Sequence, residues 1–418
     1  MKTVYLFTNT FPYGINSETF IEEEMRVAGN LGLHIVVLPL HRKKVCRCVP
    51  SNVEICNSLA DTSFIKKIYI ACLMLFSLHF WKMLWIKDRP RSPNEFYQGI
   101  KYLYGSFWIS SFLSSHKYIF KQGSVFYSYW FNHTPLGLGW RIKKDEYYRD
   151  FVLYTRAHRY DVYERQIGSY IPYRKEALAY LKGVFCVAKE GKIFLQKCYP
   201  NYAEKIFLSH LGVSTKEQYN KKVKKVADIS FISCSSLTAV KRVDFIFKRI
   251  NSFCVAHPQL CISWTHIGGG PLLRELQALI ENKSKNLNVI LTGYISNSDV
   301  KQLYMMNDFD LFVNMSLSEG IPVSIMEAIS FGIPIIATNV GGNAEIVNDE
   351  TGVLIPVNID QAAFNETVSD IMNKMDILKI STILCYQNEF NADKNYHCFY
   401  NQITKAVSYT HLTLPTKA

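Results

Sequence analysis

The stretch "SLSEGIPVSIMEAISFGIPIIATNVGG", Ser316 to Gly342, decides how this chain is read. It opens on a small polar loop (Ser316, Ser318, Gly320) and reaches Pro322 near the first turn of an apolar helix, a place that favours proline. It then runs through "FG" into a short β-branched strand, "PIIATNV". The N–H groups of Gly320, Ile321, Val323 and Ser324 have no partner within a helix that starts there and stand at the positive end of its dipole, an arrangement that suits a phosphate. Glu319 falls in the loop and Glu327 on the helix, with seven residues between them, so the two carboxylates do not share a helical face. Ionised carboxylates only accept hydrogen bonds and therefore suit hydroxyls. One carboxylate on each side of a sugar diphosphate is the simplest occupant of such a loop.

Strand and helix patterns alternate outward from this stretch. Before it come "ISFISCS", the helix "RVDFIFKRINSFCVAH", "CISWTHIGGG", "PLLRELQALIENK", "NVILTGYI", "SDVKQLYMMN" and "FDLFVNMS". Five apolar strands with intervening helices predict a parallel sheet covered on both faces. The N-terminal half repeats the pattern with "TVYLF", a helix from about Ser17, "HIVVLPL", "SVFYSYWF", "DFVLYTRAHRYD" and "GVFCVAKEG". The polar, basic run "YNKKVKKVAD" from Tyr219 reads as the connection between lobes. The expected organisation is α/β throughout: a Rossmann-like domain over 1–215, a second over 216–383, and a helical segment over 384–406 that returns to the first lobe. The two doubly wound lobes are expected to face a cleft. The last eleven residues, "SYTHLTLPTKA" (408–418), continue no pattern and read as a non-native tail.

The chain has 418 residues, and its 47 Lys plus Arg against 35 Asp plus Glu leave a net charge of +12. That excess favours an anionic partner, a membrane surface or a phosphorylated ligand. The basic residues are scattered and form no arginine-rich arm, which argues against nucleic acid. Eleven cysteines without a CxxC pair read as reduced, cytosolic thiols and not as a zinc site. "IYIACLMLFSLHFW" (Ile68 to Trp81) is shorter than the roughly 20 residues needed to span a bilayer. It is read either as a buried helix of the first lobe or as a helix bedded in the membrane interface, with flanking lysines and Trp81 and Trp85 at the boundary. "DFD" (Asp308 to Asp310) imitates a metal-binding pair, but its place at a strand start argues for a structural role. "IGGGP" (Ile267 to Pro271) lacks dinucleotide spacing and reads as a tight turn.

The E-x7-E pattern, "NDFDLFVNMSLS", "GIPIIATNVGGNAEIV" and "WTHIGGGPLLREL" together resemble the nucleotide-sugar lobe of family 4 glycosyltransferases of the GT-B fold. In the first lobe "FPYGINSETFIEEE" and "RAHRYDVYERQIGSYIPYRKE" resemble the branch that builds bacterial surface polysaccharides and lipid-linked glycans. The resemblance implies that Glu319 contacts the donor sugar, Glu327 the ribose, and the backbone of Gly320, Ile321, Pro322 and Val323 the sugar or phosphate oxygens. It further implies that Gly14 faces the pyrophosphate, His158 lies beside the transferred sugar with a positioning role, and Tyr294 lies near the base. The family's arginine and lysine on the diphosphate fall on Ser235 and Lys241, so one cation of the pair is missing, and Arg242 is the candidate replacement.

The activity implied is a retaining sugar transfer from a nucleotide-diphosphate sugar to a saccharide or lipid-linked saccharide, with no metal and no other cofactor. The expected setting is cytoplasmic, at the inner face of the cytoplasmic membrane, with peripheral association to anionic lipid. A nucleotide-sugar epimerase of the same fold and a non-catalytic sugar-nucleotide-binding subunit remain as alternatives.

Overall fold

The computed structural model describes residues 3–14, 17–215 and 227–405. The basic run from Tyr219 to Val226 and the tail 408–418 lie outside the described residues. Two compact units emerge, one holding Met1–His210 and the C-terminal stretch from Ala392, the other Leu211–Asn391. They part a few residues before the expected 215/216 boundary. Residues 384–391 stay with the second unit, where Asn391 bridges to Val213.

The first unit is a seven-stranded parallel sheet: β1 Thr3–Thr8, β2 His34–Pro39, β3 Val53–Ile55, β4 Val125–Ser128, β5 Val152–Ala157, β6 Gly183–Cys186 and β7 Ile206–Leu208, in the order β3-β2-β1-β4-β5-β6-β7. Every residue of β1 and β4 is buried, as near-continuous apolar strands require when helices cover both faces. The strand order reverses between β1 and β4, and in open α/β sheets that reversal opens a crevice at the carboxyl ends of the strands.

This unit closes on its last helix. Ala392–Lys405 packs beside Ile21–Asn30, with Arg26 Nη2 3.0 Å from Asp393 and the Tyr400 hydroxyl donating to Glu24 at 3.2 Å. Beneath it Arg156 and Glu24 are both fully buried, 3.4 Å apart. Arg156 also donates to the Tyr127 hydroxyl at 2.8 Å and lies 4.4 Å from the Phe399 ring. A buried ion pair costs several kcal/mol of desolvation unless further bonds offset it, and this one draws on partners from three elements.

The second unit is a six-stranded parallel sheet: β8 Ile229–Cys234, β9 Ile262–Ile267, β10 Leu287–Gly293, β11 Leu311–Asn314, β12 Ile335–Thr338 and β13 Gly352–Ile355, in the order β10-β9-β8-β11-β12-β13. Its reversal falls between β8 and β11. β13 is one strand more than the sequence pattern announces. The Asp310 carboxylate accepts from the Ser230 amide at 2.8 Å, tying the start of β11 to β8. The expected single helix over Ile68–Trp81 is two, Phe64–Leu75 and Leu78–Met83, because Ser77 breaks the run and caps the second through the Phe80 amide at 3.2 Å.

Candidate functional site

The second unit gathers its polar residues at the reversal. From the loop after β8, Lys241 extends to Glu319 in the loop after β11, its ammonium 2.6 Å from Oε1 and 2.8 Å from Oε2. Oε1 also accepts from the Ser316 hydroxyl at 2.6 Å and from Asn314 Nδ2 at 3.1 Å. The Lys241–Glu319 pair therefore spans the crevice mouth, with Glu319 7% exposed and the Lys241 side chain 25%. Oε2 accepts from Lys241 alone and keeps room for one more donor.

Glycines on neighbouring loops hold this loop in place. Gly341 adopts φ +51°, and a Cβ there would stand 2.1 Å from the Glu319 carbonyl oxygen. The amide of Gly342 donates to the Gly320 carbonyl at 2.7 Å. Leu317 donates to the Val240 carbonyl at 2.8 Å, which joins the loops carrying Glu319 and Lys241. Past the glycines the helix Val323–Ser330 begins, with Pro322 as its N-cap and no side chain capping it. The Ile325 and Met326 amides donate to the Pro322 carbonyl at 3.2 and 3.3 Å, which leaves those of Val323 and Ser324 to a ligand or to solvent.

Glu327 lies buried on that helix and accepts from Asn297 Nδ2 at 3.4 Å. Burial pushes the Cys234 thiol well above its usual range, reinforced by the Glu327 carboxylate and opposed by Lys241, so all three share one electrostatic neighbourhood at the end of β8. Tyr294, 60% exposed, rests its ring edge over Gly269, where a Cβ would come within 2.8 Å. "IGGGP" is accordingly a close-packed turn, with Gly268 against the Ser235 carbonyl and Gly270 against Leu237.

Arg242 is not brought to this cluster. It takes φ +49° at the N-cap of the helix Val243–Ala256, and its guanidinium donates to the Val357 carbonyl at 2.7 Å and lies 4.0 Å from the Phe245 ring. Its hydrogen bond and ring contact are with Val357 and Phe245 and not with Lys241 or Glu319. Lys241 is left as the cation bound to Glu319.

In the first unit His158 follows β5 and caps the short helix Arg159–Val162. The Asp161 amide donates to the His158 carbonyl at 3.1 Å, while the His158 amide donates to Asp161 Oδ1 at 2.5 Å. The imidazole is stacked on Tyr129 (centroids 5.1 Å) and tilted against Trp130 (4.6 Å). Burial, aided by Arg156, lowers its pKa to about 3, so the ring is neutral at physiological pH. Nε2 has no hydrogen-bond partner. Asp161 itself is raised to about 7 by burial, Arg174 opposing. Gly14 adopts φ +90° and packs against Lys43, whose methylene a Cβ would meet at 2.7 Å.

One organising residue escaped the sequence reading. Glu18, buried and at φ +53°, accepts from the amides of Asn9 (3.1 Å), Thr10 (2.7 Å) and Phe11 (2.6 Å), from the Thr10 hydroxyl (3.1 Å) and from Trp130 Nε1 (2.5 Å). It fixes the loop after β1 and, through Trp130, the wall of the His158 ring, across the β1/β4 reversal. Its only sequence signal was a glutamate between polar residues inside "NSETF".

This geometry defines an α/β protein of the GT-B fold, and residues 214–379 match the family described as "Glycosyl transferases group 1". The match lies wholly within the second unit, Leu211–Asn391. Among curated relatives, the putative colanic acid biosynthesis glycosyltransferase WcaL of Escherichia coli K12 is 31% identical over 163 residues, 37% of this chain and 39% of that protein. The amylovoran biosynthesis glycosyltransferase AmsK of Erwinia amylovora is 24% identical over 212 residues, 49% of this chain and 50% of that one. These matches thus span half or less of those relatives' lengths. A mutant of S. aureus TarM, solved with UDP, fondaparinux and α-GlcNAc-glycerol, shares the fold with a TM-score of 0.64 at 12% identity, over 97% of this chain and 100% of that one.

Proposed function

We propose that this protein is a retaining glycosyltransferase that moves a sugar from a nucleotide-diphosphate sugar to a saccharide or lipid-linked saccharide acceptor in surface polysaccharide synthesis. The observation that carries this reading is the Lys241–Glu319 pair, set across the strand-order reversal beside the uncapped start of the helix Val323–Ser330. The relatives named for colanic acid and amylovoran synthesis supply the setting.

Lys241 neutralises charge that develops on the departing diphosphate, together with the amides of Gly320, Ile321 and Val323. Oε2 of Glu319 accepts from a hydroxyl of the transferred sugar, Glu327 accepts from the ribose, and the exposed ring of Tyr294 borders the base. Neutral His158 meets a sugar hydroxyl through Nε2 as a positioning group and has no role as a base, its pKa being far below the working pH. The acceptor oxygen bonds to the anomeric carbon as the bond to phosphate breaks on the same face, and the leaving phosphate oxygen takes the acceptor's proton. No metal and no further cofactor enters this scheme. The net charge of +12 supports a peripheral position at the inner, anionic face of the cytoplasmic membrane, where lipid-linked acceptors are held.

A non-catalytic sugar-nucleotide-binding subunit is the second reading, favoured by Ser235 and by the turn of Arg242 toward Val357. Incubating the full chain with labelled nucleotide sugars and a membrane extract separates the two. Label transferred to a saccharide or lipid supports catalysis; isomerised free sugar or binding without turnover contradicts it.

A further inference from the structure

The helices Phe64–Leu75 and Leu78–Met83 present an apolar surface to solvent that the sugar chemistry does not use. Helix Phe64–Leu75 buries Ile70 and Met74 on one side. Ile65, Ile68, Tyr69, Cys72, Leu73 and Phe76 recur at helical spacing on the other, and all six are exposed, Leu73 at 41% and Phe76 at 88%. A helix apolar on all faces belongs to a buried setting, yet here one face is covered and the other is open. The surface continues past the Ser77 break through Leu78, Trp81 and Trp85, the last 83% exposed. Between Phe64 and Lys87 there are four lysines (Lys66, Lys67, Lys82, Lys87) and no acidic residue. Among the described residues no helix is long and apolar enough to cross a membrane.

We infer that these two helices form a wedge that lies in the interface of an anionic bilayer, with Ile65, Ile68, Phe76 and Leu78 among the acyl chains and the lysines at headgroup phosphates. Three features favour lipid over a protein partner. The apolar stripe is continuous and carries no carboxylate or amide to specify a partner. The tryptophans flank it, as they do where a surface meets headgroups. The charge is of one sign, complementary to anionic lipid. This inference goes beyond the sugar transfer and is tested without it.

The test uses the full chain with phosphatidylcholine vesicles, with and without phosphatidylglycerol, read by flotation and by quenching of tryptophan fluorescence with brominated lipid. The wild type floats with the anionic vesicles at low salt, is released by high salt, and is quenched. The triple variant Ile65→Gln, Phe76→Gln, Leu78→Gln partitions at least about tenfold less, each side chain adding little once kept in water. Lys82→Gln and Lys87→Gln each weaken binding about fivefold at low salt. Thermal melting checks that these exposed substitutions leave the fold intact. Wild-type protein that ignores anionic vesicles overturns the wedge, as does a folded triple variant that binds undiminished. A wild type that dimerises through this face, with the variant monomeric and neither form bound to lipid, assigns the surface to a second copy and overturns it too.

Discussion

Replacing Gly342 with alanine tests whether the loop carrying Glu319 must be held where it is. Gly342 has no positive φ, so alanine brings no backbone strain there, only a methyl group. That Cβ would stand 2.3 Å from the Gly320 carbonyl oxygen, against the 3.0 Å below which Cβ atoms essentially never approach another heavy atom. The loops must therefore part by at least about 0.7 Å, the difference between those two distances. The Gly342 to Gly320 hydrogen bond, now 2.7 Å, stretches to the edge of bonding. Losing it costs about 1 kcal/mol, which in a unit of this size lowers the melting temperature by roughly 2–4 °C. The effect on transfer is far larger, because a shift near 1 Å at a positioned group costs about 100-fold in rate. The assay is kcat/KM for sugar transfer beside thermal melting, with Gly191→Ala as control, since its Cβ meets only ordinary contact with Val162 at 3.6 Å. A folded Gly342→Ala protein within about threefold of wild-type kcat/KM would refute the reasoning.

Three further outcomes are expected. His133 and His266 are held near pKa 4 and His158 near 3 by burial, below the ordinary 6.5, so stability is fully present above pH 6.5 and is lost as pH falls toward those values. Asp161, raised to about 7 from 3.8, runs the other way and regains stability on acidification through the same window. The three histidines less Asp161 leave a net of two protons, or about 3 kcal/mol per pH unit summed over both units; urea midpoints that stay flat from pH 6.5 to 5 would contradict this. Lys241→Met strands the buried Glu319 carboxylate with only neutral donors, destabilising the second unit by about 1–3 kcal/mol, less than a fully buried pair because Lys241 is partly exposed. Urea denaturation measures that loss, and a stabilised variant would count against the pair's geometry. Glu18→Gln keeps the size but replaces an acceptor oxygen with a donor facing the amides of Thr10 and Phe11. It should lower transfer about tenfold or more while donor-induced thermal stabilisation is kept; unchanged turnover would show that the β1 loop and Trp130 need no such anchor.

The sheets were legible because most of their strands are runs of buried apolar residues; β8, β9, β11 and β12 of the second unit stood out for that reason, and the half-exposed edge strand β10 by its apolar run. β13 did not, since Gly352–Ile355 is a half-buried edge strand that opens on glycine and gains its place from pairing with β12. The break at Ser77 hid inside a continuous apolar run, where one serine carries little weight until its hydroxyl is seen to cap a helix. Glu319 and Lys241 were visible through their spacing within an ordered set of motifs, although the bond between them joins residues 78 positions apart. Arg242 misled because adjacency in sequence says nothing of where a side chain makes its contacts, here with Val357 and Phe245. Glu18 could not be found at all by pattern, for its importance lies in donors that converge from both its own loop and a tryptophan 112 residues distant.

The central claim is that the Lys241–Glu319 pair grips a nucleotide sugar for transfer. The most direct measurement presents wild-type and Glu319→Ala protein with a panel of labelled nucleotide sugars and membrane extract, and follows the label and the configuration of the new linkage. The account predicts that one donor's sugar moves to a saccharide or lipid acceptor with its anomeric configuration retained, and that Glu319→Ala, still folded, abolishes the transfer. Full transfer by Glu319→Ala, or a product with inverted configuration, would contradict it.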